Sequence, residues 1–366
     1  MQKIESGCVS LFINRQCPRR CSYCSVVNEE KEKKRLSVVD WKRAFSILES
    51  RGIEFFLILG TEPLLLGKDL EELVSFWKSK GYEYGLYTTS PRPLFDSCKD
   101  RLINAGLRNW SSGIDYIPEV YDRMKEKAEL SLTCMKLVER ERYGLVQKAR
   151  DGLNGMEYMF QKGIEEQHVL ITISRMNIEM ISEMVKYLVD RFPSTNLRVA
   201  MNWVEYGSED MDFAPSFEKC LPYLIREKDK EVWVEFVSKM KSLPEKYKLR
   251  IQIPLEYLEL WDEMLNQNRK GNPKYCAMGV DVDGVLRSCG YRRGSEIAKY
   301  SVFDLEDDQS FDKVYNVWLE EIRNCKGCAW VFPYMLEKVG KDVVNYQSDY
   351  WKNRGEKYQE ISDVKR

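Results

Sequence analysis

Histidine is almost missing: His168 stands alone in 366 residues. That excludes histidine triads, paired-histidine zinc sites and most histidine general-base chemistry. An excess of one charge is missing too. Lys+Arg number 57 against 58 Asp+Glu, a formal net charge of -1, so no global basic field calls for nucleic acid. Long hydrophobic runs are lacking as well. "FFLIL" (Phe55–Leu59) is strand-length, far short of the roughly 20 residues of a membrane span. The opening "MQKIESGCVSLF" has no apolar signal-peptide core, so the cytoplasm is the expected location and no membrane partner is expected. Cysteine, by contrast, is plentiful. Eleven of them in a reducing compartment point to metal or redox chemistry rather than disulfides. Cys17, Cys21 and Cys24 form one group, and Cys276, Cys289, Cys325 and Cys328 a second. Cys8, Cys98, Cys134 and Cys220 are scattered and read as buried apolar side chains.

Strand-like runs alternate with amphipathic helical stretches from Cys8 to about Trp203. The strand candidates are Val9–Asn14, Phe55–Gly60, Tyr84–Thr89, Asn109–Asp115, His168–Ser174 and Leu197–Trp203. Helical segments include Ser37–Gly52 and Leu70–Gly81, with apolar residues at three- and four-residue spacing and a glycine just past the end. Six β/α units in order predict a parallel sheet with right-handed crossovers, closed or nearly closed into a TIM-like barrel, with the active site at the carboxyl ends of the strands. The expected division is a (β/α)6 partial barrel over 1–210, a helical bridge over 211–270, a Cys-containing α+β unit over 271–335, and a helix and frayed tail over 336–366.

The loop "CPRRCSYC" follows the first predicted strand. Three thiolates leave one iron of a [4Fe–4S] cubane open, whereas a zinc knuckle needs a distant fourth ligand. "GTEP" (Gly60, Thr61, Glu62, Pro63) follows the second strand. Together these resemble the radical S-adenosylmethionine (SAM) superfamily, whose hallmarks are CxxxCxΦC after the first strand and GGEP after the second. Here Tyr23 stands as Φ, and Thr61 replaces the second glycine, a change acceptable only at an ordinary φ. The resemblance implies a cluster held by Cys17, Cys21 and Cys24 whose open iron chelates SAM. One electron then cleaves SAM to a 5′-deoxyadenosyl radical that abstracts a substrate hydrogen. It also implies SAM contacts from Tyr23, Gly60, Thr61, Glu62 and Pro63, from Thr88 (with Thr89 or Ser90), from Ser112, from Lys148 (with Arg150), and from Ser174. Asn177 and Asn202 are candidates for the adenosine or substrate shell. For each polar residue, strand-end capping or a solvated helix face is the competing reading.

In the second group, "CAMGVDVDGVLRSC" places Gly284 five residues before Cys289. A hairpin turning at that glycine brings Cys276 and Cys289 together, and the later "CKGC" adds Cys325 and Cys328. A structural zinc ribbon fits those four thiols too. The spacing resembles the twitch module of radical SAM enzymes, a shortened SPASM domain, which implies one auxiliary [4Fe–4S] cluster for electron transfer. The expected cofactors are thus two [4Fe–4S] clusters and SAM, with flavodoxin or ferredoxin as electron donor. The resemblance implies an oxidoreductase or transferase acting in biosynthesis or modification of a small molecule or ribosomal peptide. The alternatives are adenosyl-radical addition to a lipid or other precursor, and a structural zinc or iron–sulfur protein without turnover.

Overall fold

A computed structural model describes residues 3–24, 34–59, 61–164, 166–193, 197–204, 221–266, 271–289 and 296–325. Six strands with helices between them come first: β1 (Cys8–Phe12), α1 (Val38–Ser50), β2 (Phe55–Leu59), α2 (Lys68–Lys80), β3 (Glu83–Thr88), α3 (Arg92–Ala105) and β4 (Asn109–Gly113). They continue through α4 (Pro118–Glu126), α5 (Leu132–Gln161), β5 (Glu166–Ile173), α6 (Ile181–Arg191) and β6 (Leu197–Trp203). β1 is buried along its whole length, as a parallel strand covered on both faces must be.

Local chemistry sets the helix ends. Ser37 caps α1 by accepting from the Asp40 amide, and Asp40 accepts in return from the Ser37 amide, closing a capping box. Gly81 ends α2 at φ +70°, where a side chain would be strained. Between them a helix-to-sheet core forms around Phe45, with the Phe56 and Trp77 rings 4.9 and 5.4 Å away. Among the described residues α5 is the longest helix at 30 residues, and two glycines let it approach the strands closely. A Cβ on Gly155 would lie 2.9 Å from Ser90 Oγ, and one on Gly152 3.0 Å from Ile114 Cγ1. That approach brings Lys148 and Asp151 of α5 to the carboxyl ends of β3 and β4.

Among the described residues the sheet has eight strands in the order β6-β5-β4-β3-β2-β1-β7-β8. β1 through β6 run parallel and in sequence, as six β/α units require. The last two strands come from much later in the chain. β7 (Met278–Val280) pairs parallel with β1, placing Ser10 beside Gly279, and β8 (Leu286–Arg287) returns antiparallel. The hairpin predicted from Gly284 is therefore present, with that glycine at φ +84°. Sequence patterning gave no sign that it would extend the main sheet.

Around the edges lie α7 (Lys230–Lys241), α8 (Glu245–Lys248), α9 (Trp261–Asn266) and α10 (Asp308–Arg323). α10 is tied down from two directions. Trp318 Nε1 donates to Ser288 O at 2.7 Å. The buried Arg51 guanidinium, just past α1, reaches Leu305 O, Glu306 O and Asp308 Oδ1 at 2.6–2.7 Å. Among the described residues no helix is long and apolar enough to cross a membrane. The expected helix and tail over 336–366 lie outside the described residues.

Candidate functional site

The loop after β1, the turn after β2 and the ends of β3, β4 and β5 meet at one end of the sheet. Asn14 starts the assembly by donating from Nδ2 to Glu62 O and Gln16 O, both at 2.9 Å. Thr61 Oγ1 donates to Gln16 O as well. Ser90 and Ala128 are the non-glycine residues at positive φ among those described. Thr61 therefore sits in ordinary backbone space and meets the condition its place in the motif imposed. Pro63 opens a short 3₁₀ turn over Pro63–Leu66, and Glu62 caps it. Gly60 lies outside the described residues.

Glu62 is completely buried and uses both oxygens. Oε1 accepts from the Leu64 amide at 3.2 Å and from Thr88 Oγ1 at 2.5 Å. Oε2 accepts from the Thr89 amide at 2.9 Å and from Thr89 Oγ1 at 2.8 Å. Burial raises its carboxyl above the ordinary range, and these hydrogen bonds act against that rise. Thr88, Thr89 and Glu62 thus form one cluster. Ser112 is beside Thr88 in register, and its hydroxyl is 3.4 Å from that of Ser90.

A second cluster holds the cysteine loop. Tyr23 OH donates to Asp115 Oδ2 at 2.7 Å, Lys148 Nζ pairs with the same carboxylate, and the Thr172 amide donates to Asp115 Oδ1 at 2.6 Å. All three side chains are buried. Burial alone would depress the Lys148 ammonium, but the charge and hydrogen bond of Asp115 together with the charges of Cys21 and Cys24 outweigh it, and the net shift is upward. Asn177 joins the ends of β4 and β5 by donating to Asp115 O at 3.0 Å and Thr172 O at 2.9 Å, while its Oδ1 accepts from the Ser174 amide at 2.9 Å. Ser174 is therefore engaged in strand-end capping here. Asn202 pairs with Thr172 in register, and Arg150 is exposed.

Arg19, between the first two cysteines, donates to Asp151 Oδ2 on α5 at 2.5 Å, and Gln147 Nε2 donates to Asp151 Oδ1 at 2.8 Å. Asp115, Arg19, Asp151 and Asn14 were not among the expected site residues. The partners are 92 residues apart for Tyr23 and Asp115 and 132 for Arg19 and Asp151, beyond the reach of any local motif.

The three thiols at Cys17, Cys21 and Cys24 are half-buried. Burial pushes Cys17 up to about 12, with Glu62, Cys24 and Cys21 adding to the rise. The Arg19 amide donates to Cys17 Sγ at 3.4 Å. Among the described residues no group of three or more His, Cys, Asp or Glu side chains is arranged around a single ion. The thiolates of a cubane bind separate irons and need no common focus. A half-buried all-thiol donor set with an amide aimed at sulfur fits an iron–sulfur cluster.

In the second group the hairpin pairs Gly279 with Arg287 and Val280 with Leu286, so Cys276 precedes its first strand and Cys289 follows its second. The Asn272 amide donates to Cys276 Sγ at 3.3 Å, and a Cβ on the neighbouring Gly271 would lie 3.3 Å from Cys325 Cβ. Cys276 and Cys325 thus both lie beside residues 271–272. Cys328 lies outside the described residues.

A parallel α/β sheet with a three-cysteine loop after its first strand defines the class, and the family comparison agrees. Residues 11–201 match the model of the radical SAM superfamily. The match covers just over half the chain, and the protein belongs to that superfamily. Membership indicates an enzyme and implies a [4Fe–4S] cluster and SAM. Among solved structures, Streptococcus suis SuiB bound to precursor peptide SuiA aligns at a TM-score of 0.54 and 13% identity, covering 89% of this chain and 72% of that one. SuiB bound to S-adenosylmethionine aligns at 0.52 and 13%, covering 86% and 68%. At such identity the likeness is one of fold. No curated protein sequence matches the chain significantly.

Proposed function

We propose that the protein is a radical SAM enzyme with a C-terminal twitch-type module and two [4Fe–4S] clusters. The first is held by Cys17, Cys21 and Cys24, and the auxiliary one by Cys276, Cys289, Cys325 and Cys328. The observation that carries the reading is the seating of the cysteine loop. Arg19–Asp151 and Tyr23–Asp115–Lys148 fasten it to α5 and β4, while Asn14 and Thr61 fasten its start to the turn after β2. A cluster held there by Cys17, Cys21 and Cys24 would supply the one electron that cleavage of SAM to methionine and a hydrogen-abstracting 5′-deoxyadenosyl radical requires. The chain's own part is to bind, orient and exclude water. Gly60, Thr61, Glu62, Pro63, Thr88, Ser112, Ser174 and Tyr23 would line the SAM side. Lys148, already cationic beside Asp115, would exchange part of that pairing for the SAM carboxylate.

The proposed domain limits are 1–210 for the core, 211–270 for the bridge, 271–335 for the twitch-type module and 336–366 for the tail. A small molecule or a ribosomal peptide is the proposed substrate, the latter in keeping with the precursor peptide bound by SuiB. A flavodoxin or ferredoxin is the proposed electron donor.

The test is anaerobic reconstitution, an iron count, and assay of 5′-deoxyadenosine with dithionite and SAM. About eight irons per chain and SAM cleavage are expected. Cys21→Ala should abolish cleavage with the fold intact. Cys328→Ala should leave cleavage without substrate measurable while blocking product. Zinc in place of iron at the N-terminal thiols would refute the reading.

A further inference from the structure

Two arginines and an aspartate meet between the two cysteine groups. Arg15 lies two residues before Cys17, and Arg287 two before Cys289. Arg15 donates from Nε and Nη2 to Asp281 Oδ1 at 2.7 and 2.5 Å, and Arg287 Nη2 donates to Asp281 Oδ2 at 2.5 Å. Both guanidiniums also stand over the Phe12 ring at the end of β1, 4.3 and 5.4 Å from its centroid. The cluster is interior: Arg15 is 9% exposed, Asp281 1% and Arg287 0%.

Removing three charges from water is costly, and an apolar cluster of the same shape would stabilise the fold at least as well. Direction and field are what the ionic version adds. Asp281 belongs to the C-terminal hairpin, yet it grips the residue that leads from β1 into the N-terminal cysteine loop. The neighbouring Asn14 and Gln16 are held by the 61–62 turn, so the start of the loop is fixed from two sides. A residue two positions away stands within about 7 Å along the chain, close enough for the Arg15 charge to act on whatever Cys17 binds.

We infer that Asp281 is a positioning residue for the Cys17–Cys24 loop. Through Arg15 it fixes where the loop leaves β1, and the charges of the Arg15–Asp281–Arg287 cluster set the reduction potential at the site the loop holds. The second half rests on the iron–sulfur reading proposed above; the first does not.

The test uses the full chain in two states. In metal-free protein the Gln16 amide, which donates to Asn14 Oδ1 at 3.1 Å, reports the seating of the loop by hydrogen exchange. Asp281→Asn should speed that exchange about tenfold or more through local opening, and Asp281→Glu should restore most of the protection. Exchange at the wild-type rate in Asp281→Asn overturns the clamp. In reconstituted protein the midpoint potential of the SAM-responsive cluster is measured. Asp281→Asn removes a negative charge and should raise the potential, and Arg287→Met removes a positive charge and should lower it. General loosening of the fold would lower cluster content in both variants without opposite shifts. Potentials unmoved, or moved the same way, overturn the electrostatic role. If Asp281→Asn does not accumulate, Arg287→Met decides: a lowered potential supports the inference and an unchanged one overturns it. A wild-type chain that takes up no iron at the N-terminal thiols, yet shows the exchange response, sinks the cofactor reading and upholds the clamp.

Discussion

Asp115 accepts from a tyrosine, a lysine and a backbone amide at once, and each partner comes from a different element. Tyr23→Phe removes one bond to a charged acceptor and should cost about 1.5–3 kcal/mol in urea unfolding of the metal-free chain. Lys148→Met should cost more, about 3–5 kcal/mol, because it leaves the carboxylate buried without its counter-ion. A loss under 0.5 kcal/mol for both, within the range of ordinary surface substitutions, would show that the cluster does not hold the loop. Cys98 and Cys134 give a pH test. Burial pushes both thiols up to about 12 from an ordinary value near 9. The folded chain holds the neutral thiol more firmly than the unfolded chain does, so their contribution is complete below pH 9 and is lost as pH rises toward 12. Alkaline titration should therefore show stability falling across that window, and iodoacetamide at pH 8 should leave both unlabelled in the folded protein. Labelling at the rate of a free thiol would contradict their burial. At this scale the cysteines, Tyr23 and Glu62 were legible because a spacing rule names them. Asp115 and Asp151 were not, since their importance comes from partners that only the fold brings near.

The hairpin shows how backbone geometry limits sequence choice within an element. A Cβ on Gly279 would lie 2.7 Å from Cys289 O and 2.8 Å from Arg287 Cβ. Gly279→Ala should therefore cost about 1–3 kcal/mol by overpacking and disturb Cys289 more than Cys17. The check is thermal unfolding together with the reactivity of the two thiols. In α1, Ser37→Ala removes the capping box and should cost about 1 kcal/mol, with no effect on the cysteine loop. The six strands and α1 and α2 were readable because burial alternates with helical periodicity and glycine marks the ends. β2, β4 and β6 begin where expected, while β1, β3 and β5 start one or two residues earlier, as β3 does at Glu83, because pairing partners set the ends. Gly284 predicted the hairpin. Its docking on β1 was not predictable, because parallel edge pairing uses backbone groups that every residue carries.

Across the whole molecule, the C-terminal segment supplies both a strand and a counter-ion to the first β/α unit. A chain ending at residue 270 would leave the β1 edge unpaired and Arg15 without Asp281. Such a truncation should yield little soluble protein, since a bare strand edge recruits other chains; a soluble monomer with native exchange at Gln16 would contradict this. The overall class was legible because two motifs fell on consecutive β/α units. The union of the two parts was not, because it depends on register between segments about 270 residues apart. Biosynthesis feels that separation directly. At about 5–20 residues per second, the ribosome needs tens of seconds after finishing β1 before β7 emerges to cover it. Throughout that interval the β1 edge that β7 covers in the finished fold is open, so a chaperone that shields the first strand should raise the yield of folded protein.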